Sequence, residues 1–233
     1  MLHDDKLVGV DVALREFHPE HAPRYRAAVH GHRRALVDYF VYSRDVAGVS
    51  ERLDALSEAH WSYMDRFADH LVARGPTLTA DGETHTGSMH IVTVQNAGAA
   101  RHFVEDEPFH SAGLYADTAL SRYVDLLERS MWDRPRAPDL EQTTFLRAAW
   151  PAIPADERTV RAARETAVAG SDPWVFLGLL VSNDASRCVG IAAAADLTAG
   201  PAELALRPVL ASLRQVDAPV ETQRWQRGGR PRG

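Results

Sequence analysis

The stretch ALVDYFVYS, residues 35–43, is the part of the sequence that decides the predicted fold. Its aromatic and β-branched side chains are typical of a β-strand. A helix is predicted to follow from Ser50 to about Ala73. The Ser50 hydroxyl can accept a hydrogen bond from a free amide of the first turn, and apolar side chains then recur at three- and four-residue spacing. We expect Gly75-Pro76 to end this helix.

Further strands and helices are predicted to alternate along the rest of the first half. A strand over 89–94, a short helix over 97–106 and a strand over 119–127 give the order β-α-β-β-α-β, or close to it. That order predicts a ferredoxin-like sandwich and hence an α+β fold class. Residues 145–225 repeat the order in a weaker form, which indicates an internal duplication with a repeat of about 100 residues.

The segment DRPRAPD, residues 133–139, is the expected boundary between the two repeats. Its two prolines cannot continue a helix or a central strand. We therefore predict an N-terminal arm at 1–34, a first domain at 35–133, a linker at 134–142 and a second domain at 143–233.

Composition argues against several classes of protein. Hydrophobic residues make up 45% and charged residues 25% of the 233 residues, which is ordinary for a soluble globular protein. No apolar run has the length of a membrane helix, and the first residues do not resemble a signal peptide. The net charge is −6 and no basic stripe is present, so nucleic-acid binding is not expected. We predict a cytoplasmic protein with neither a membrane nor a nucleic acid as partner.

Histidine is distributed unevenly, because all eleven histidines lie at or before His110. Acid–base chemistry is therefore expected in the first half. His60 is the sharpest candidate, since it lies on the apolar stripe of its helix between Leu56 and Met64. Partial burial disfavours a cationic imidazole, which suits a neutral general base. The alternative is a core histidine that makes one hydrogen bond.

Glu107 is the second candidate catalytic residue. It is predicted to follow the helix at 97–106, where a carboxylate faces the negative end of the helix dipole. A base or a group that orients a histidine can tolerate that unfavourable position. The alternative is a solvated acidic surface at 105–107.

Four other residues are candidates for substrate contact. Ser88 and His90 lie on one face of the predicted strand. Tyr63 lies about one turn after His60, and Arg74 could hold an anionic substrate. For each of them an ordinary structural or solvated role is the alternative.

Histidine pairs in the predicted arm could bind a metal, but zinc needs three or four converging ligands. The pairs are His18-x-x-His21 and His30-x-His32. We interpret them as solvated and assign no metal ligand and no cofactor.

Five short motifs resemble those of the YCII-related family. They are AHW at 59–61, RGP at 74–76, TGS at 86–88, EPF at 107–109 and AGLY at 112–115. The resemblance covers about residues 35–133. The second half, about 143–233, resembles a degenerate copy without histidine.

This resemblance implies a dimeric α/β-barrel, in which two ferredoxin-like sheets face each other. Here the second half would supply the second sheet, which gives an intrachain pseudo-dimer, and a homodimer remains open. The resemblance also implies that His60 is the active-site histidine and that the acid of the Asp-Pro step is its partner. Glu107 stands where the family usually has aspartate, so Asp106 is an alternative partner.

The sequence thus predicts a cofactor-independent enzyme that acts on a small organic substrate, with His60 moving a proton and Glu107 orienting it. Because the family that the chain resembles includes a dehydrochlorinase, we expect a lyase or isomerase reaction such as elimination, cyclisation or aromatisation, in bacterial secondary metabolism or catabolism. Two alternatives remain. One is a non-catalytic metabolite-binding or accessory protein, and the other is a metal- or haem-binding protein.

Overall fold

The computed structural model describes residues 36–134 and 142–229. The predicted arm at 1–34, with its histidine pairs, lies outside the described residues, and so does most of the predicted linker. The division of the chain into domains therefore stays a prediction. Among the described residues, no helix has the length and apolar character needed to cross a membrane.

The first half contains four strands and three helices. They are β1 (Val37–Asp45), α1 (Ser50–Asp65), β2 (Leu71–Leu78), β3 (His85–Val94), α2 (Ala97–Glu105), α3 (Pro108–Ser111) and β4 (Tyr115–Asp125).

The second half has the same order of strands, with one helix in each crossover. The elements are β5 (Thr143–Pro154), α4 (Glu157–Ala169), β6 (Trp174–Val181), β7 (Arg187–Ala195), α5 (Ala199–Ser212) and β8 (Val220–Trp225). The sequence pattern of this half predicts a helix over 157–169 and strands over 174–181 and 220–225, and these bounds agree to the residue with α4, β6 and β8.

The predicted end of the first helix is wrong. The helix α1 ends at Asp65, and a 3-10 turn leads directly into β2. The helix predicted from the sequence extends to about Ala73 and therefore includes the first residues of this strand. Gly75 and Pro76 lie inside this strand and do not terminate a helix. A Cβ atom on Gly75 would lie 1.9 Å from the carbonyl oxygen of Gln226, so the glycine allows the C-terminal segment to cross close to the strand.

Within the described residues, eight strands form one closed barrel in the order β1-β3-β2-β8-β5-β7-β6-β4. Each half contributes a four-stranded antiparallel sheet with the ferredoxin-like order, β4-β1-β3-β2 and β8-β5-β7-β6. The two sheets join where β2 pairs with β8 and where β4 pairs with β6. This topology confirms the predicted fold class, which is tandem ferredoxin-like halves that form an intrachain α/β-barrel.

Alternation along β1 separates two hydrophobic cores and thereby positions the site. Phe40 and Tyr42 point into the barrel, where both rings lie against Phe145 of the second sheet at centroid distances of 6.2 and 5.2 Å. Tyr39 and Val41 point the other way and pack against the helices of the first half. Aromatic and aliphatic side chains fill the barrel interior, so the polar site described below lies between the helices and the outer face of the first sheet.

Gly178 provides a test of the seam between β4 and β6. A Cβ atom on this residue would lie 2.2 Å from the ring of Tyr123, which leaves no space for a methyl group. We expect Gly178→Ala to lower the free energy of unfolding by about 1–3 kcal/mol, measured by urea denaturation, because overpacking displaces the ring or the strand. Gly200→Ala is the matched control, since nothing lies within 4 Å of its added Cβ. Equal stability of the two variants would contradict the close approach.

Asp125, at the end of β4, makes stability depend on pH. Burial raises the pKa of its carboxyl group to about 6, although the amides of Leu127 and Arg129 donate to it. The unfolded chain loses this proton near pH 4, so the wild type loses stability as the pH rises from about 4 to 6. Relative to the wild type, Asp125→Asn should gain roughly 2–3 kcal/mol of unfolding free energy between pH 4 and pH 7. Urea denaturation at both pH values measures this, and a constant difference would refute it.

Candidate active site

His60 lies on α1 and is mostly covered by the segment that follows α2. Only 13% of its side chain is exposed. Its ring stacks on Phe109 with a centroid distance of 4.4 Å and an interplanar angle of 1°. The ring of His90 on β3 lies 6.0 Å away. The histidine is thus held between a helix, a short turn of helix and the sheet.

Glu107 lies in the two-residue connection between α2 and α3, and its side chain caps the second of these helices. Oε1 accepts a hydrogen bond from the Phe109 amide at 3.0 Å, and Oε2 accepts one from the His110 amide at 2.9 Å. Pro108 occupies the first helical position, where no amide hydrogen is needed. The prediction of a carboxylate at a helix C-terminus is therefore wrong, because the side chain turns towards the N-terminal end of α3, where free amides attract negative charge.

His60 and Glu107 form a direct pair, with 2.7 Å between Nδ1 and Oε1. An ionised carboxylate only accepts hydrogen bonds, so Nδ1 carries the hydrogen. In a neutral ring, Nε2 is then left with its lone pair. Within the described part of the chain, Nε2 has no hydrogen-bond partner, so it is free to act as a base. Asp106 is exposed, and no bond joins it to His60.

A small cavity lies beside Glu107, with about 10 Å³ available to the centre of a water molecule. That is room for about one water. Its lining comprises Val41, Ser43, His90, Phe103, Val104, Glu107, His110 and Tyr115. Burial, and then the electrostatic effects of His60 and Arg74, hold the pKa of His90 well below its usual value. His90 is therefore a neutral ring in this cavity at physiological pH.

The four predicted substrate contacts occupy different places. His90 lines the cavity, and Ser88 is buried near the Tyr115 hydroxyl. Tyr63 packs against Phe103, and its hydroxyl donates to the Phe103 carbonyl at 3.0 Å, outside the lining of the cavity. Its role in substrate binding stays a prediction.

Arg74 also lies outside the lining of the cavity. Its guanidinium is 3.7 Å from an oxygen of Asp65 and lies over the ring of Trp132. These contacts give it a packing role in this structure, and its predicted contact with a substrate stays a prediction.

Sequence reasoning missed a second histidine–carboxylate pair and a tyrosine. Nδ1 of His85 lies 2.6 Å from Oδ2 of Asp45, and only 6% of the Asp45 side chain is exposed. Tyr115, at the start of β4, pairs with Asp45 across the two strands. Asp45 ends β1 and His85 begins β3, so only the register of the sheet brings them together.

No group of three or more histidine, cysteine, aspartate or glutamate side chains within residues 36–134 and 142–229 is placed to hold a metal ion.

The Glu107 carboxylate should fix the tautomer of His60. In the wild type, ¹⁵N NMR of the neutral imidazole should show hydrogen on Nδ1. Glu107→Gln should abolish this preference and lower the free energy of unfolding by about 1–3 kcal/mol, because an amide cannot accept all three hydrogen bonds. Glu105→Gln is the matched control, since half of that side chain is exposed. An unchanged tautomer in Glu107→Gln would contradict the assignment.

Comparison with known proteins places the first half in a family. The sequence model of the YCII-related domain matches residues 37–123. An uncharacterised protein of Haemophilus influenzae is 26% identical over 92 residues, which cover 36% of this chain and 94% of that protein.

Two solved structures are also similar. The 5-chloro-2-hydroxyhydroquinone dehydrochlorinase of Burkholderia phenoliruptrix, in complex with 2,5-dihydroxybenzoquinone, is 30% identical with a TM-score of 0.35, over 36% of this chain and 91% of that chain. A proposed monooxygenase of Fusobacterium nucleatum is 8% identical with a TM-score of 0.51, over 84% of this chain and 94% of that chain, a likeness of fold alone. Through residues 37–123, the chain belongs to the YCII-related domain family.

Proposed function

We propose that this chain is a cofactor-independent enzyme that moves a proton on a small organic molecule, with His60 as the general base and Glu107 as its positioning residue. The observation that carries the proposal is the 2.7 Å hydrogen bond between His60 Nδ1 and Glu107 Oε1. The Phe109 and His110 amides fix the same carboxylate, so it cannot turn away from the ring. The imidazole is thereby held with Nε2 as its free nitrogen.

The pair provides for both stages of a proton transfer. Nε2 takes a proton from a carbon or an oxygen of the substrate, which converts the ring into an imidazolium. The Glu107 carboxylate stabilises that positive charge through a hydrogen bond that becomes charge-assisted on both sides. The imidazolium then returns the proton to the substrate or to a leaving group. A positioned base of this kind contributes about 10²–10⁴-fold to the rate.

A lyase or isomerase reaction suits this machinery best. Cyclisation and aromatisation by isomerisation each need one proton removed and one delivered, whereas an elimination that expels chloride needs one proton removed. None of these reactions requires an external oxidant or reductant. A single imidazole that cycles between neutral and cationic forms supplies those two transfers. In an elimination, the proton leaves to Nε2 while the electron pair of the broken C–H bond forms a double bond and expels the leaving group, and the imidazolium then releases the proton to water.

His60 lies at the border between the buried pair and the surface. Its side chain is 13% exposed, whereas that of Glu107 is 5% exposed. A substrate that approaches from the surface thus meets the imidazole first, and the carboxylate remains behind it. The described cavity holds about one water, so a larger molecule must displace side chains around the pair in order to bind.

His60→Ala tests the proposal. We use 5-chloro-2-hydroxyhydroquinone as the first probe, because a 30% identical relative is named for its dehydrochlorination. Chloride release should fall about 10²–10⁴-fold in His60→Ala, while the affinity for the probe changes little. His102→Ala is the matched control, since that side chain is 76% exposed on α2.

Two results would contradict the proposal. Turnover that survives His60→Ala would exclude this residue as the base. Tight binding of the probe by the wild type, with no turnover of it or of related halogenated phenols, would favour the alternative of a metabolite-binding protein.

A further inference from the structure

Two buried polar atoms beside the His60–Glu107 pair lack the hydrogen bonds that burial normally requires. They are the hydroxyl oxygen of Tyr115 and Oδ1 of Asp45. Among the described residues neither atom makes a hydrogen bond of normal geometry, although the Ser88 hydroxyl and the Glu107 carboxylate lie near the Tyr115 hydroxyl. An unpaired buried polar group costs about 1–3 kcal/mol. Such groups in a native structure call for an explanation, and one explanation is a ligand that pairs with them.

The two atoms belong to one place in the fold. Tyr115 opens β4 and Asp45 ends β1, and the two residues are opposite each other in the register of these strands. Tyr115 lines the cavity next to Glu107 and Ser43. The other oxygen of Asp45 is already held by His85 at 2.6 Å, so this carboxylate is fixed, and within the described residues Oδ1 has no hydrogen-bond partner.

The chemistry of the two atoms is complementary. Burial, together with the negative charges of Glu107 and Asp45, raises the pKa of the Tyr115 hydroxyl well above its usual value. Tyr115 is therefore a neutral phenol that can donate its hydrogen. Asp45 Oδ1 is a carboxylate oxygen, which only accepts. A ligand must thus offer an acceptor to the tyrosine and a donor to the aspartate.

The surrounding charge limits the ligand further. Glu107 and Asp45 place two carboxyl groups near the Tyr115 hydroxyl. An anionic group such as a carboxylate or phosphate would be repelled there, whereas a hydroxyl group is neutral and can both donate and accept. Hydroxyl is therefore the substituent that matches both atoms.

We propose that Tyr115 and Asp45 form a polar subsite that binds hydroxyl groups of the substrate, with the Tyr115 hydroxyl donating and Asp45 Oδ1 accepting. The proposal rests on the proposed function, since it places the subsite next to the His60–Glu107 pair. It narrows the substrate class to neutral hydroxylated molecules and excludes carboxylates and phosphates at this position. Tyr115 and Asp45 act here as specificity-determining residues, and the proton transfer remains with His60.

Tyr115→Phe is the most direct test, because it removes one oxygen atom and keeps the ring. The probes are 1,2,4-trihydroxybenzene and benzoate, and the measurement is equilibrium binding by titration calorimetry. The wild type should bind trihydroxybenzene at least tenfold more tightly than benzoate. Tyr115→Phe should weaken trihydroxybenzene binding about 3–10-fold and leave benzoate binding unchanged.

The stability of the free protein separates a binding role from a structural one. Because the Tyr115 hydroxyl makes no hydrogen bond of normal geometry within the described part of the chain, Tyr115→Phe should leave the unfolding midpoint in urea unchanged or raise it. Asp45→Asn should also weaken trihydroxybenzene binding. Asp117→Asn is its matched control, since Asp117 is an exposed partner of Arg44 on the neighbouring strand.

Each contrary result overturns the subsite. The wild type could fail to bind trihydroxybenzene, or Tyr115→Phe and the wild type could bind it with equal affinity. Either result would show that these two atoms bind water and no substrate hydroxyl. A lower unfolding midpoint for Tyr115→Phe would assign the hydroxyl a structural role. Failure of the proposed function would give a different result from failure of the subsite. Hydroxyl-dependent binding without any turnover would contradict the proposed reaction and still support the subsite.

Discussion

The Glu107 carboxylate accepts hydrogen bonds from three donors that lie in two parts of the fold. Two of them are the amides of Phe109 and His110 in the first turn of α3, and the third is Nδ1 of His60 on α1. The same side chain therefore caps the free amides at the N-terminus of α3 and orients the imidazole on α1. Because it is almost fully buried, any movement of either helix would leave a charge or an amide without a partner. The geometry of the site follows from this constraint.

The second half of the chain supports the His60–Glu107 pair indirectly and contributes no residue to it. Its sheet closes the barrel against the first sheet, and Phe145 packs on Phe40 and Tyr42 in the interior. The first sheet is thereby covered on one face by the second sheet and on the other by its own helices. The helix-covered face holds all the residues of the proposed site. A duplicated fold thus carries one histidine-bearing site, because the second half has no histidine.

Two histidine–carboxylate pairs lie at the same end of the first sheet, and they differ in the elements that they connect. The His60–Glu107 pair joins helices, and within the described residues Nε2 of its histidine has no hydrogen-bond partner. The His85–Asp45 pair joins strand ends, and one buried oxygen of its carboxylate has no partner in the part of the chain that the structure describes. Tyr115 lies between Glu107 and Asp45 as a neutral donor. The arrangement offers one basic nitrogen, one donor and one acceptor, which are the groups needed to hold and deprotonate a hydroxylated molecule.

Local sequence patterns were enough to predict the α+β class and the duplicated order of strands, and to select His60 and Glu107 as candidate partners. These depend on local periodicity, on turn residues and on motifs within short segments, all of which the chain carries without reference to distant residues. The strand β2 was missed because Phe67 and Leu71 also satisfy helical spacing, and only pairing with β3 decides between the two structures. The sequence did not predict the helix α3, because four residues are too few to show a helical repeat of apolar side chains.

Tertiary structure alone decided which of Glu107 and Asp106 meets His60, and that Tyr115, Asp45 and His85 share one end of the sheet. The first, the choice between Glu107 and Asp106, depends on which of the two side chains points towards His60. The cap that Glu107 forms on α3 sets that direction. The second depends on the register between β1, β3 and β4, and a shift of one residue would move each side chain to the other face. Neither the cap nor the register is encoded in a single segment, so neither could be derived before the segments were brought together.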